Sequence, residues 1–203
     1  SVYACRLLGL FMVFPVLTLY IEAMRHSNGI LIGVAMGIYR IFQALLQLPF
    51  GMLSDRYGRK PLILFGFIVF IAGSLICAAT DQIGWFLVGR SLQGAGAVGS
   101  TISALAADLT RPTQRSKAMA IKGIGVGGSF LLAMLLGPVL SWLVGVPGLF
   151  IFSSLLGLLG ILLLHKGITE PPQQAIRSPS WQTLKGILIN PDCLRINLSI
   201  FLL

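Results

Sequence analysis

Apolar residues in this chain come in blocks, each about as long as a membrane is thick. They run over roughly 1–24, 30–53, 62–80, 84–107, 118–140 and 148–165, with a seventh run opening near Ile196. About 20 helical residues cross ~30 Å of hydrocarbon. The pattern therefore predicts an all-α, polytopic membrane protein with six transmembrane helices over residues 1–165. Most joints between blocks are short, as between antiparallel neighbours of one bundle. The exception follows His165, where Glu170-Pro171-Pro172 and Ser178-Pro179-Ser180 open a linker over 166–193. In it Ser180 can cap a short helix with Trp181, Leu184 and Leu188 on one face and Lys185 away from them, suited to the cytoplasmic membrane surface. Residues 194–203 read as the start of a seventh span. The chain is apolar from Val2, without an initiator Met, and stops inside that run, so a fragment of a longer protein is expected.

Composition agrees with the block pattern. Charged residues are 10% of the chain and mean hydropathy is +0.90, against roughly 25% charge in soluble domains. The net charge of +9 suggests a nucleic-acid binder until its distribution is read. Arg56, Arg59 and Lys60 lie in the second joint; Arg111, Arg115 and Lys117 in the fourth; Lys166, Arg177, Lys185 and Arg195 flank or follow the sixth block. Opposite joints carry only Arg25. Alternation of this kind fixes the basic joints in the cytoplasm, and residues 25–29, 81–83 and 141–147 outside. No nucleic-acid face is expected. The partners expected are the lipid bilayer, a small-molecule substrate and protons, with the protein a monomer in a bacterial inner membrane.

Cysteine and histidine add little. Cys5 and Cys77 fall in apolar blocks and Cys193 on the cytoplasmic side, while His26 and His165 sit at opposite membrane faces. No metal site, cofactor or enzyme chemistry is expected from them.

Ionisable residues inside a membrane are costly and point to function. Arg90 lies six residues into the fourth block. At 100° per residue Gln93, Gly94, Ala97, Thr101 and Asp108 fall within ~60° of it, which favours a position facing the bundle over one reaching to the outer surface. Arg40 lies near mid-depth of the second block, with Gln43, Gln47, Gly33 and Gly51 on the same stripe. That stripe reads as the lining of a substrate cavity or as a buried hydrogen-bonded helix interface. Arg6, in the first block, is grouped with Arg40 as a cavity residue. Lys122 is near enough to the cytoplasmic end to extend toward water. Glu22 reads as interfacial rather than as a proton carrier. Three fixed positive charges at Arg6, Arg40 and Arg90 without a carboxylate at similar depth require a counter-charge. Acids in the rest of the protein are the favoured source, an anionic or zwitterionic substrate the alternative.

The second joint reads Gly51-Met-Leu-Ser-Asp55-Arg56-Tyr-Gly58-Arg59-Lys60. Asp55 is poorly placed for its own helix, because a helix C-terminus carries partial negative charge, so its partner is expected elsewhere. Arg59 and Lys60 open the third helix and need an acid, and Asp108 is the one carboxylate of the neighbouring cytoplasmic joint. Gly51 and Gly58 permit close approach and a tight turn.

This joint resembles the G-x-L-x-D-R-x-G-R-K signature of the major facilitator superfamily. Arg90-Ser-Leu-Gln93-Gly94-Ala-Gly96-Ala resembles the fourth-helix motif of its drug–proton antiporters. Gly137-Pro138 resembles the fifth-helix G-x₃-G-P-x₂-G-G kink, although Ala133, Ser141 and Trp142 depart from it. Arg-Leu-Leu-Gly-Leu-Phe-Met-Val-Phe-Pro15 and Lys117-Ala-Met-Ala are most similar to the YajR-like group of bacterial inner-membrane proteins. The resemblance covers almost the whole chain. It implies the N-terminal half of a 12-span facilitator, with the second joint as a cytoplasmic gating loop whose Asp55 contacts the opposite half and whose Arg59 pairs with Asp108. It also implies proton coupling at Arg90, Gln93, Gly94 and Gly96. The function expected is secondary active transport by alternating access, as proton-coupled efflux of drug-like or metabolite substrates. The alternatives are a transport-inactive sensor or scaffold, and an organic-anion transporter.

Overall fold

The computed structural model describes residues 2–22, 24, 28–96 and 98–167. The predicted linker helix near Trp181 and the seventh segment lie outside them. The described elements are α1 (Val2–Glu22), α2 (Gly29–Tyr57), α3 (Arg59–Ala79), α4 (Ile83–Ala95), α5 (Gly99–Asp108), a 3-10 turn (Pro112–Gln114) and α6 (Arg115–Gly167).

All six predicted apolar blocks are helical, and two boundaries differ from expectation. The fourth block is two helices, interrupted between Ala95 and Gly99. Gly96 packs on the backbone of α3, where a Cβ would stand 2.4 Å from the Gly66 carbonyl oxygen. Its ψ of 46° and the ψ of 0° at Val98 take the chain out of the helix. The second difference is the joint at 141–147, which shrinks to one residue. Gly145 alone leaves the helical region within α6, at φ 71° and ψ 172°, a conformation that glycine adopts without a Cβ penalty. Pro147 then stands in the first turn of the new arm, where a missing N–H costs nothing. The arms 115–144 and 146–167 supply the fifth and sixth spans. By length and hydropathy α1, α2, α3 and the long α6 qualify as membrane-crossing. α4 and α5, at 13 and 10 residues, reach membrane length only together.

The core forms around α1, which lies between both arms of α6. Ser129 Oγ donates to the Ala4 carbonyl at 3.1 Å and Ser153 Oγ to that of Gly9 at 2.7 Å. Met12, Val13, Leu17 and Ile21 of α1 pack with Phe86 of α4 and with Leu149 and Phe150 of the sixth span. Phe86 and Phe150 meet edge to face at 5.6 Å. Large apolar side chains such as Ile124, Leu135 and Trp142 stand exposed, as a lipid-facing belt requires. Asn28 caps α2, its Oδ1 accepting from Leu31 N at 2.9 Å. In contrast to α1, α2 buries only Ala35, Tyr39, Phe50 and Ser54, so most of its surface is uncovered in this half-bundle.

Candidate functional site

The joint between α2 and α3 is tighter than its sequence suggests. A single residue, Gly58, separates α2 from α3, with φ 96° and ψ 152°. That turn brings Arg59 back over the last turn of α2. Arg59 Nη1 meets Asp55 Oδ1 at 2.5 Å and donates to Ser54 Oγ at 2.6 Å, while Nε donates to Asp108 Oδ2 at 3.1 Å. Ser54 passes the chain on to the Gly51 carbonyl at 2.6 Å. The pairing of Arg59 with Asp108 is therefore present. Asp55 was expected to find its partner elsewhere; it is held within this half by Arg59, because the one-residue turn leaves the two side chains adjacent. Lys60 donates to the His165 carbonyl at 3.4 Å, a cation at the C-terminus of α6, where the helix dipole favours one. Arg56 is exposed, with its guanidinium 5.6 Å from the Tyr57 ring centre.

A second cluster lies inside the bundle. Arg90 and Arg6 are each 1% exposed, so Arg90 faces inward and not toward the outer surface. Arg90 Nη1 donates to Gln93 Oε1 at 2.8 Å, Gln93 Nε2 to Ser74 Oγ at 2.7 Å, and Ser74 Oγ to the Phe70 carbonyl at 2.8 Å. Arg6 Nη2 reaches the Gln93 carbonyl at 3.3 Å. Rings complete the cage: Arg6 lies 5.2 Å from the centre of Phe70, and Arg90 the same distance from Tyr39. Arg6 Nε, Arg90 Nε, Arg90 Nη2 and Thr101 Oγ1 have no hydrogen-bond partner among the described residues. Gly94 and Gly96 serve close packing here. A Cβ on Gly94 would fall 2.2 Å from the Tyr39 carbonyl oxygen.

The residues grouped as a cavity separate. Arg6 belongs to the sealed cluster, since α1 turns it toward α4. Arg40, Gln43 and Gln47 stay on the uncovered face of α2, Arg40 and Gln47 exposed and Gln43 half-buried. The Arg40 guanidinium lies 5.7 Å from the Tyr39 ring and 6.0 Å from that of Phe14. A groove of about 460 Å³ runs along the same helix past Gln47, Gly51, Met52, Asp55 and Ser100. It runs from the polar face to Asp55 of the Arg59 cluster.

The expected kink at Gly137-Pro138 is absent as a break in dihedrals, the departure being at Gly145. Gly137 serves approach instead: a Cβ there would lie 2.5 Å from the Met12 carbonyl oxygen.

Sequence reasoning missed Ser54 and Ser74, each the hydroxyl that joins an arginine network to a backbone carbonyl. It also missed Tyr39, whose ring serves both Arg40 and Arg90. The signal for Ser74 was a lone hydroxyl in the most apolar span. Lys122 is half-buried. It donates to Ser103 Oγ and sits 5.0 Å from the Tyr3 ring centre. Among the described residues no three of His, Cys, Asp and Glu converge as metal ligands.

The sequence profile of the Major Facilitator Superfamily matches residues 1–203. The chain is 42% identical over 207 residues to the inner membrane transport protein YajR of Escherichia coli (strain K12), covering 100% of this chain and 45% of that protein. It is 27% identical over 186 residues to the class H tetracycline resistance protein of Pasteurella multocida, covering 87% of this chain and 46% of that one. Among solved structures, the inward-open xylose transporter XylE from E. coli superposes with a TM-score of 0.69 at 18% identity, over 98% of this chain and 54% of that chain. The chain thus spans about half the length of the curated relatives it matches.

Proposed function

The chain belongs to the major facilitator superfamily, and from that premise we propose that it forms the N-terminal six-span half of a secondary active transporter. The protein would work by alternating access in a bacterial inner membrane and export drug-like or metabolite substrates in exchange for protons. The polar face of α2 carries this reading. Arg40, Gln43 and Gln47 stand uncovered along a helix too apolar to lie in water. Such a face cannot meet lipid cheaply. A water-filled path between two half-bundles accommodates it, with substrate bound near mid-membrane.

Two further observations support the finer parts of the proposal. The Arg90–Gln93–Ser74 chain holds a full positive charge beside that path, where it biases the protonation of any acid the other half presents. The Arg59 cluster ties the ends of α2, α3 and α5 at one membrane face, as a cytoplasmic gate would need. The names of the YajR and tetracycline-resistance relatives fit membrane transport and efflux.

The test is flux through proteoliposomes containing the full-length protein, with and without a pH gradient. Gradient-dependent substrate movement is the expected result. Binding without flux under any gradient would replace transport by a sensing role.

A further inference from the structure

Cations within the described spans are of two kinds. Arg6 and Arg90 are sealed inside the bundle and bonded to Gln93. Arg40 and Lys122 are open, the first exposed and the second half-buried. The open pair borders a single apolar cluster of Leu7, Leu10 and Tyr39, against which Tyr3, Phe11 and Val126 pack. Lys122 stands one turn before Val126, bonded to Ser103 and resting over the Tyr3 ring. Arg40 follows Tyr39 and rests over the rings of Tyr39 and Phe14. Helices α1, α2 and the fifth-span arm thus build a patch with a cation at each edge and half-buried aromatic rings between them.

We propose that this patch binds the transported substrate and that the substrate is an organic anion. Its carboxylate or sulfonate head is taken by Lys122 with Ser103 beside it, and its apolar body lies over Tyr3, Phe11 and Phe14 toward Arg40. The proposal rests on the transporter reading above and names its substrate class.

Charge placement supports an anion. The carboxylates among the described residues are Glu22, Asp55, Asp81 and Asp108, all in a last helical turn or a joint. None flanks the patch, and the sealed Arg6 and Arg90 add to its positive potential. A bound cation would meet repulsion from the charges of this half-bundle. The lysine ammonium has three donors, of which Ser103 takes one. The aromatic contacts fit a counter-charge that comes and goes. A cation over a ring gains a modest attraction, enough to hold Lys122 and Arg40 in place while the anion is away, and less than a hydrogen-bonded anion offers. A permanent ion pair would need no such resting position.

The experiment uses the full-length protein and three probes of one shape: 2-naphthoate, neutral 2-naphthylmethanol and cationic 2-naphthylmethylammonium. Affinity is read by calorimetry and movement by proteoliposome uptake. The anion is expected to bind about tenfold or more tightly than the cation, and Lys122→Gln to weaken the anion by about tenfold, the loss of one charge-assisted contact. Lys122→Arg should restore most of that affinity. Affinity for the neutral probe should stay constant in each variant, which reports an intact fold. Preference for the cation, with Lys122→Gln changing neither charged probe, would overturn the proposal; acids from the rest of the protein would then neutralise the patch. The two readings fail separately. Anion binding that depends on Lys122 without flux of any probe keeps the site and removes transport. Gradient-driven flux of the cation, indifferent to Lys122→Gln, keeps transport and removes the anion site.

Discussion

Arg90 and Gln93 lie one turn apart on α4, and Arg90 Nη1 donates to Gln93 Oε1 at 2.8 Å while Gln93 Nε2 bonds Ser74 of α3 at 2.7 Å. The amide is thus a bridge that leaves neither of its ends free to turn. Arg90→Ala is expected to abolish gradient-coupled transport, and Arg90→Lys to retain part of it, since charge survives without the planar fork. Gln93→Leu should cost ~1–3 kcal/mol of stability by leaving the guanidinium and the serine underbonded. Flux against pH and thermal unfolding check the three variants. Normal coupling in Arg90→Ala across the pH range would remove Arg90 from the mechanism.

The Arg59 cluster predicts a graded response at the cytoplasmic face. Asp108 is 36% exposed and Arg59 14%, so a single pair is worth ~0.2–1 kcal/mol. Asp108→Asn should therefore shift the balance between outward-open and inward-open states only a fewfold. Arg59→Ala, which removes Asp55, Asp108 and Ser54 from one another together, should shift it further. Labelling rates of cysteines introduced on each membrane face measure the shift. Equal rates in all variants, with normal flux, would leave the loop as a topology signal alone.

Close backbone approach is testable with two glycines of the same helix. Gly94→Ala places a Cβ 2.2 Å from the Tyr39 carbonyl oxygen, and Gly84→Ala meets nothing within 4 Å. The first should cost ~1–3 kcal/mol or more and the second stay within ~0.5 kcal/mol. Melting of the purified protein in detergent distinguishes them. Equal melting points would mean that α2 and α4 are not held this close.

Gly58→Ala tests the one-residue turn. At φ 96° a side chain adds ~1–2 kcal/mol of strain, and relieving it moves Arg59 away from Asp55. The expected result is a lower melting point together with faster labelling of a cytoplasmic cysteine, as in Arg59→Ala.

The order of the spans and the inward face of Arg90 were legible because each depends on local pattern: block length, or angle around one helix. What escaped depends on two helices at once. Wheel angles around α1 and α2 share no common zero, so Arg6 and Arg40 looked alike although one is sealed and the other exposed. Depth placed Lys122 near the cytoplasm but carried no direction, and the Tyr3 ring that attracts it lies over a hundred residues earlier. The interruption of the fourth block follows from the contact of Gly96 with Gly66, a distance that no reading of one segment contains. Asp55 meets Arg59 within this half because a single positive φ at Gly58 sets the two side by side.

That interruption also has a mechanical meaning. An unbroken rod from Ile83 to Asp108 would transmit any tilt of its outer part to the cytoplasmic end in full. With the joint between Ala95 and Gly99, the piece bearing Arg90 and the piece bearing Asp108 are separate levers sharing a pivot against α3. A displacement of one piece therefore need not be copied by the other, as it would be along one continuous helix.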